Sequence, residues 1–466
     1  NVLFREDTRR YASANGNIYE VSPVETAAAR CSASGGGLSF CASTITATIP
    51  NLNSTASLVG TNTAVYNCKG ANYPSAAGSV TTACSSINST GSAFTAAADT
   101  TWKSLTDDFS GQMAYFHLDK HVSFFKSIDS TLPPAASGGP GRVAIRNSIP
   151  ALVNSYEGSQ PLENAFFSGT LGAMVFGQGA DADYAYDATV MYHEFTHGVV
   201  NAWGDFNLDI DSEGGLDEPG AVNEGSADSM AVSETGRSQI GSFVSSTGSS
   251  PSAFLRDLND ANNKRSCHGD GTTTNQFGAT VLRGLDGEVH DDGEIWNGYF
   301  WEIYSGLKTA GLKGCGGNCE AGAAIMYKAI ELAGGGGPQY STYPGTFKSA
   351  AQALFPGNTA LTDYITCVGT RRGMDQCDRT TPVYAGESKA EFIRLRYGSF
   401  QPTFTTTGTS SFQICSVNGT ATRVHLRKGS KLALTSIQSS GAATVTEDSH
   451  VDIQTTCPTG QTVTLP

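Results

Sequence analysis

Two histidines four residues apart, with a glutamate beside the first, restrict the fold of this chain more than any other feature. They stand in VMYHEFTHGVV, residues 190–200, inside a longer stretch whose apolar spacing is typical of a helix. On a helix, side chains four residues apart share one face about one turn apart, so both imidazoles can reach one ion. The pattern therefore predicts a helix with one metal-binding face.

Zinc is the ion that this pattern favours. A catalytic zinc site has three protein ligands and keeps a fourth position for water. His193 and His197 would supply two of the ligands, and Glu194 lies beside the first, where it can take a proton from the water. Because H-E-x-x-H is short enough to arise by chance, two ordinary surface histidines remain an alternative at this point.

A third ligand is the test between these two interpretations. The segment AVNEGSADSM supplies Glu224, and Asp228 follows one helical turn later, where it can accept the other ring N–H of a zinc histidine. Acidic residues at this spacing are also common on solvated helix faces. Here the neighbours are small or apolar, which favours buried carboxylates that have a partner.

The composition indicates a soluble globular protein with an acidic surface. The chain has 466 residues, of which 39% are hydrophobic and 15% charged, enough for about two to four domains or lobes. A formal net charge of -14 argues against nucleic acid or an anionic membrane as the main partner. No apolar run reaches the length of about 18 residues that predicts a transmembrane helix.

Changes in residue pattern divide the chain into regions. Residues 1–100 alternate in the manner of short strands, and RVAIRNSI, ENAFFSG and GAMVFGQG predict three more strands. After residue 398 the chain alternates again, which predicts a separate β module at about 400–466. Apolar spacing predicts helices over 105–130 and in YAYDATVMYHEFTHGVVNA, PGAVNEGSADSMAVSETG, HDDGEIWNGYFWEIYSGLK, CEAGAAIMYKAIELA, TFKSAAQALF and AEFIRLRYG.

Cysteine spacing predicts an exported protein with local disulfides. Ten of the eleven cysteines form near neighbours in sequence, at 31/41, 68/84, 315/319, 367/377 and 415/457. Cys267 is left over, and no C-x-x-C pair supports a cysteine zinc site. The first residues, NVLFREDTRR, contain no signal-peptide core, so we expect that an export signal has been removed or that the chain has been trimmed.

Four segments, in this order, resemble the thermolysin-like zinc endopeptidases (gluzincins), and still more the related fungalysin group. ENAFFSG with MVFGQG is similar to the family's substrate-lining edge strand and the strand after it, and VMYHEFTHGVV with AVNEGSAD to its two zinc helices. AFLRDLNDA and GEVHDDGEIW are similar to the segments with an active-site arginine and a transition-state histidine. The resemblance implies an α+β fold with a β-rich lobe over 1–200 that ends in the zinc helix, a mainly helical lobe over 201–399, and the disulfide-stapled β module at 400–466.

The resemblance also implies a role for each matching residue. It implies zinc at His193, His197 and Glu224, with attack by a zinc-activated water for which Glu194 is the general base. It implies that Asn164 and Ala165 bind the substrate main chain, as an edge strand can by adding a peptide strand. Arg256 would hold a substrate carbonyl, and His290 would donate to the oxyanion. The supporting residues around this site would be Asp228, Asn223 and Asp286.

The chain departs from the family pattern in the segment after the zinc helix. The spacer between His197 and Glu224 has 26 residues and contains no tyrosine, so the family's oxyanion-binding tyrosine has no counterpart there. Asp286 lies four residues before His290, whereas the family's orienting acid is expected one residue earlier in the chain than Asp286.

The same spacer is acidic, and two interpretations of it stay open. Its carboxylates around glycine turns can bind Ca²⁺ through oxygen, or form a solvated acidic loop. The family's calcium-binding acid just ahead of the zinc helix does not align, since Thr189 stands there with Asp187 nearby. The candidate calcium ligands are Asp209, Asp211 and Glu213.

A second histidine pair, His117 and His121, has the same spacing. In YFHLDKHVSFF nothing supplies a third ligand, so we expect this pair to be structural.

Three functions compete. The first is a secreted, monomeric endopeptidase that acts on polypeptides and binds neither nucleic acid nor membrane. It would bind Zn²⁺, and also Ca²⁺ if the acidic spacer is a calcium site. A zinc aminopeptidase would need a glutamate in a G-x-M-E-N segment, but the nearest stretch, GAMVF, has Val175 there. A catalytically silent protein whose C-terminal module binds a polymer is disfavoured, because Glu194 and all three ligand positions are intact.

Overall fold

A computed structural model describes most of the chain between residues 11 and 374, together with short strands beyond it. The described ranges are 11–28, 42–76, 79–101, 103–132, 148–204, 206, 218–245, 254–259, 272–274, 280–282, 289–372, 374, 392–393, 411–412, 422–426, 431–435, 440–444, 449–453 and 463–464.

The described elements mix strands and helices along the whole chain, so the fold class is α+β. The helices are α1 Val80–Ala83, α2 Phe109–Ile128, α3 Ala188–Trp203, α4 Glu218–Thr235, α5 Val289–Thr309, α6 Ala321–Ala333, α7 Tyr343–Leu354 and α8 Thr359–Arg371. The strands to residue 177 are β1 Ala12–Ile18, β2 Ile45–Leu52, β3 Thr63–Asn67, β4 Ser85–Ser86, β5 Ala93–Phe94, β6 Ile149–Glu157, β7 Gln160–Pro161, β8 Ala165–Ser168 and β9 Ala173–Gly177. Those after it are β10 Gln239–Ile240, β11 Arg256–Asp257, β12 Thr272–Thr274, β13 Thr280–Leu282, β14 Lys313–Gly314, β15 Cys319–Glu320, β16 Phe392–Ile393, β17 Ser411–Phe412, β18 Thr422–Leu426, β19 Lys431–Thr435, β20 Ser440–Thr444, β21 Ser449–Ile453 and β22 Val463–Thr464.

The chain divides into two compact units. The first comprises Asn1–Asp205, Ala227–Asp257 and Lys313–Ala324, and the second Phe206–Ser226, Leu258–Leu312 and Ile325–Pro466. Helix α4 crosses the division without interruption, since its first nine residues belong to the second unit and the rest to the first. The domain limits predicted from the sequence stay a prediction.

The main sheet of the first unit has the strand order β4-β3-β6-β9-β8, with β7 paired to β6. Strands β3, β6 and β9 run parallel, and β8 runs antiparallel to β9. Every residue of β9 is buried, as expected for a central strand covered on both faces. Among the described strands β8 is the last in this order, so it forms an edge, and it packs against α3.

Helices α2 and α3 form the helical layer of this unit and pack against each other. Most residues of both are buried, which their broad apolar surfaces explain. Helix α3 begins after Asp187, whose side chain accepts the backbone N–H of Thr189 as an N-cap, and it ends at Gly204. The burial of α3 matters for function because its polar side chains then need partners within the protein.

The second unit contains α5, α7, α8 and the last strands. Trp296 of α5 packs against Tyr343 and Phe347 of α7, and Arg372 donates to Glu302. Beyond residue 400, β18 pairs with β21, β19 with β20, and β17 with β22. That residues 400–466 form a separate β module stays a prediction.

Most predicted elements that fall on described residues agree with the structure, but one predicted helix is wrong and one helix was not predicted. AEFIRLRYG is not helical at Phe392–Ile393, which form β16 and pair with Ala433 and Leu434 of β19. That pairing joins distant parts of the chain, and local periodicity does not register such contacts. Helix α8 was not predicted, because TALTDYITCVGTR mixes polar and β-branched residues into its apolar face.

The structure contains two of the predicted disulfides, Cys68–Cys84 and Cys315–Cys319. The pairing 367/377 is wrong, because Cys367 carries a free thiol on the exposed side of α8. That prediction was based on nearness in sequence. The direction of the Cys367 side chain is set by helix α8 instead. The other three cysteine predictions involve residues outside the described ranges.

Candidate metal and active site

Helix α3 presents His193, Glu194 and His197 from an almost fully buried segment. His193 is 5% exposed and Glu194 6% exposed. Buried polar groups are costly unless they are hydrogen-bonded or bound to an ion. The arrangement of partners around these three side chains therefore shows what the site can hold.

The two imidazoles converge on one point. Their Nε2 atoms lie 2.9 Å apart, as the helical spacing of four residues allows. The other ring nitrogen of His193, Nδ1, lies 2.7 Å from Oδ1 of Asp228. An ionised carboxylate only accepts, so Nδ1 carries the proton and Nε2 directs its lone pair towards His197. This is the tautomer that a metal ligand requires.

Asp228 is itself fixed by an arginine. Arg256 donates from Nε to Oδ2 at 2.6 Å and from Nη2 to Oδ1 at 2.8 Å, a bidentate pair. Burial alone would raise the pKa of Asp228, but the charge and hydrogen bonds of Arg256, together with His193, hold it well below its usual range. The carboxylate therefore stays ionised and keeps the imidazole of His193 in place.

Glu224 reaches the histidines through helix α4. It lies one turn before Asp228 on the same continuous helix, so the contact of Asp228 with His193 also places Glu224 near α3. One ligand atom from each of His193, His197 and Glu224 lies within 4.8 Å of the others. Two imidazole nitrogens and one carboxylate oxygen are the donor set of a catalytic zinc site with one open position. The residues present fit zinc.

The carboxylate of Glu194 is oriented by the edge strand. Its Oε2 accepts the backbone N–H of Phe167 in β8 at 3.0 Å. This N–H points away from β9, so the groups of Ala165, two residues earlier, point the same way. The carbonyl of Asn164 points inward and accepts from Gly177, while its exposed side chain accepts from Ala165 N–H. The outer edge of β8 therefore runs beside the glutamate.

His290 lies next to Glu224 in the second unit. Its Nε2 is 3.4 Å from Oε2 of Glu224, and its side chain is 48% exposed. Helices α4 and α5 approach closely here because both carry glycine at the crossing. A Cβ on Gly225 would lie 2.7 Å from Cβ of Trp296, and one on Gly293 would lie 3.2 Å from Cβ of Glu224. These glycines bring the start of α5 to the ligand.

Comparison with known families agrees with this geometry. Residues 44–201, about a third of the chain, match the family model of the thermolysin metallopeptidase catalytic domain. The match includes β8, β9 and the HEFTH segment of α3. Over these residues the chain is similar to the thermolysin metallopeptidases. Peptidases of this family are metalloendopeptidases, and zinc is their metal. No curated protein matches the chain significantly.

Several predicted residues of the peptidase lie outside the described ranges. Asn223 is described, at 5% exposure, one residue before Glu224 on α4. The candidate calcium ligands and the candidate orienting acid of His290 are not described; these are Asp209, Asp211, Glu213 and Asp286. Among the described helices of the peptidase, none is long and apolar enough to cross a membrane.

Two features of the site were not predicted. The N–H of Phe167 that orients Glu194 is a backbone group, and no residue type signals it. The bidentate contact of Arg256 with Asp228 was also missed, because Arg256 was assigned to the substrate alone. An arginine and a buried aspartate in the same predicted site could have suggested it, since a buried carboxylate beside one histidine still has lone pairs to satisfy.

Proposed function

We propose that this metallopeptidase is a secreted, zinc-dependent endopeptidase whose zinc ligands are His193, His197 and Glu224. One observation carries the proposal: three ligand atoms of the right chemical types converge within 4.8 Å, beside the Glu194 carboxylate. The motifs of the sequence support a particular likeness to the fungalysin-type group. An aminopeptidase and a catalytically silent protein are not favoured.

Zinc at these ligands would polarise the substrate carbonyl and make a water molecule acidic enough to attack at neutral pH. Glu194 is the general base in this proposal. It takes one proton from the attacking water as the new C–O bond forms, and it passes that proton to the leaving nitrogen as the C–N bond breaks. The hydrogen bond from Phe167 N–H supports this role, because it leaves the second carboxylate oxygen of Glu194 for the water.

The substrate would lie along the edge of β8 as an added antiparallel strand. Outward-facing backbone groups at Ala165 and the exposed side chain of Asn164 support this position. His290 would donate to the carbonyl oxygen as negative charge develops on it. Arg256 would hold a substrate carbonyl near the cleaved bond, as the sequence resemblance implies. Asn223 and Asp286 would be supporting residues of this site, as the sequence resemblance implies.

The compartment and the secondary features are also proposals. Disulfides such as Cys68–Cys84 form and persist outside the cytosol, which supports secretion. Calcium at Asp209, Asp211 and Glu213, a monomeric state, and the three-part division at residues 200 and 399 rest on the sequence. The proposed substrates are polypeptides.

Casein hydrolysis tests the mechanism. We expect Glu194→Gln to lower activity by at least about a hundredfold, because it removes the proton acceptor. The amide oxygen of glutamine can still accept from Phe167 N–H, so the fold and zinc content should not change. A chelator should abolish wild-type activity, and added zinc should restore it.

The matched control is Glu163→Gln. Glu163 lies near the same strand, and its side chain accepts from Ala180 N–H in an exposed position. Its substitution should leave activity within about twofold of wild type. If Glu194→Gln keeps full activity, or if the chelated enzyme still cleaves casein, Glu194 and zinc do not act as proposed.

A further inference from the structure

We propose that Asp187 and Thr189 are positioning residues for the metal site. They would act by holding the turn at Gly241–Phe243 against the first turn of α3, which fixes Arg256 over Asp228. We call the set Asp187, Thr189, Gly241 and Phe243 the clasp. The proposal rests on the proposed zinc site, and its test separates failure of the clasp from failure of that site.

The clasp is a chain of buried hydrogen bonds. The Thr189 hydroxyl donates to Oδ1 of Asp187 at 2.7 Å and accepts the N–H of Gly241 at 2.9 Å. Oδ2 of Asp187 accepts the N–H of Phe243 at 2.8 Å. Asp187 is fully buried and Thr189 is 1% exposed. Hydrogen bonds in such an environment define one geometry, since a lost partner leaves a buried group unsatisfied.

The turn held by the clasp is directly connected to Arg256. Ile240 of β10 pairs with Arg256 of β11, and Leu255 N–H donates to the carbonyl of Ile240 at 2.9 Å. Gly241 has a φ of +68°, and a Cβ there would lie 2.5 Å from the side chain of Leu255. The backbone that carries Arg256 therefore lies close against the residues that the clasp fixes.

The network closes on α3. Arg256 of β11 donates a hydrogen bond to Asp228, and Asp228 accepts one from His193. His193 lies on α3, six residues after the N-cap Asp187. The β10–β11 hairpin is thus attached to α3 twice, at the helix start and through Asp228 at a metal ligand. Loosening the first attachment should loosen the orientation of His193, and groups that orient ligands set metal affinity.

The clasp compensates the Asp187 carboxylate with the chain's own donors. Its oxygens accept backbone N–H groups from Thr189, Phe243 and Val244 as well as the Thr189 hydroxyl. A carboxylate saturated in this way needs no cation to satisfy it. At the point where Thr189 replaces the calcium-binding acid of the family pattern, hydrogen bonds hold the neighbouring segment.

Zinc affinity of the apoprotein tests the proposal without using activity. Competition with a chromophoric chelator would be measured for wild type, Thr189→Val and Thr189→Ser. Valine keeps the shape of threonine but removes the hydroxyl, so we expect about tenfold weaker zinc binding. Serine keeps the hydroxyl and should restore wild-type affinity.

Thr63→Val is the matched control. The Thr63 hydroxyl is also fully buried and donates to the carbonyl of Ile149 at 2.9 Å, but in β3 of the main sheet. It should cost similar stability and leave zinc affinity unchanged. Asp187→Asn is the second variant, because its amide group would face the N–H of Phe243 and break that half of the clasp; it should also weaken zinc binding.

The outcomes separate the two claims. If wild type binds zinc and both Thr189→Val and Asp187→Asn bind it equally well, the clasp does not position the site. The same holds if Thr63→Val weakens zinc binding as much as Thr189→Val does, since a general loss of stability then explains both. If wild type itself does not bind zinc, the proposed function fails.

Discussion

The hydrogen bonds of single residues in this site fix the orientation of each side chain. The His193 ring has one nitrogen on Asp228 and the other facing His197, and the Asp228 carboxylate is gripped by Arg256. Glu194 receives a backbone N–H instead of a side-chain donor. Each contact costs little conformational freedom, because its partner is already fixed by a helix or a strand. The site is therefore organised before substrate arrives.

The second histidine pair gives a prediction about pH. The ring of His117 is fully buried, with Nδ1 2.8 Å from the hydroxyl of Tyr192 and Nε2 3.0 Å from the carbonyl of Tyr19. Burial, and next the charge of Lys120, lowers the pKa of His117 to about 3. Between that value and the ordinary histidine pKa of about 6.5, the unfolded chain binds a proton that the folded chain does not. Stability should therefore fall as the pH falls from 6.5 to 4, by at most about 1.4 kcal/mol per pH unit from this residue.

The measurement is the free energy of unfolding by urea at pH 6.5 and pH 4, in a Glu194→Gln background that prevents self-digestion. His117→Gln should lose less stability between the two pH values than the parent. Comparing the two proteins removes common contributions, such as that of Asp107, whose pKa burial raises to about 6 and which works in the opposite direction. An equal loss in both proteins would show that His117 does not contribute.

Residue identities were the most predictable part of the site. The spacing of His193 and His197, and of Glu224 and Asp228, follows from helix geometry, which sequence expresses directly. Contacts that join separate segments, such as Phe167 N–H to Glu194, are not expressed in this way. The structural role of His117 was predicted because no third ligand lies near it in sequence, and its two protein contacts agree with that prediction.

At the scale of elements, long amphipathic helices were predicted within a few residues, and short strands were not. The expected helix over 105–130 is α2, and the expected zinc helix is α3. Strand β6, the central partner of β3 and β9, overlaps the predicted strand RVAIRNSI only at Ile149, because its apolar residues form a continuous run and periodicity alone does not identify such a run as a strand. The wrong helix at β16 has a different cause, since its partner strand β19 is distant in sequence.

The crossing of α4 and α5 gives a prediction about packing. Gly225→Ala would force Cβ to within 2.7 Å of Cβ of Trp296, so the helices must separate. We expect a loss of about 1–3 kcal/mol in stability. A fall in kcat should accompany it, because separation moves His290 away from Glu224.

Gly345→Ala is the control for the crossing. Gly345 lies in α7, and a Cβ there would meet no atom within 4 Å. Alanine at such a helical position should leave kcat unchanged and stability equal or slightly higher, by up to about 1 kcal/mol. If Gly225→Ala folds and cleaves casein like wild type, close approach at this crossing is not required.

At the scale of the whole molecule, Glu224 and Asp228 lie on one continuous helix, α4. The family match ends at residue 201, so the proposed third zinc ligand, Glu224, rests on the sequence pattern at 223–228 and on the geometry of α4. The composition gave no information on how the chain divides into units.

Zinc content compared between the two histidine pairs tests the central claim most directly. His197→Gln and His117→Gln each remove one histidine from a pair with spacing of four on a buried helix. Among the described residues, only the first pair converges with a carboxylate as a set of three candidate metal ligands. After dialysis against metal-free buffer, elemental analysis should find about one zinc ion per chain in wild type and His117→Gln, and far less in His197→Gln. Equal zinc in wild type and His197→Gln, or a loss confined to His117→Gln, would contradict the account.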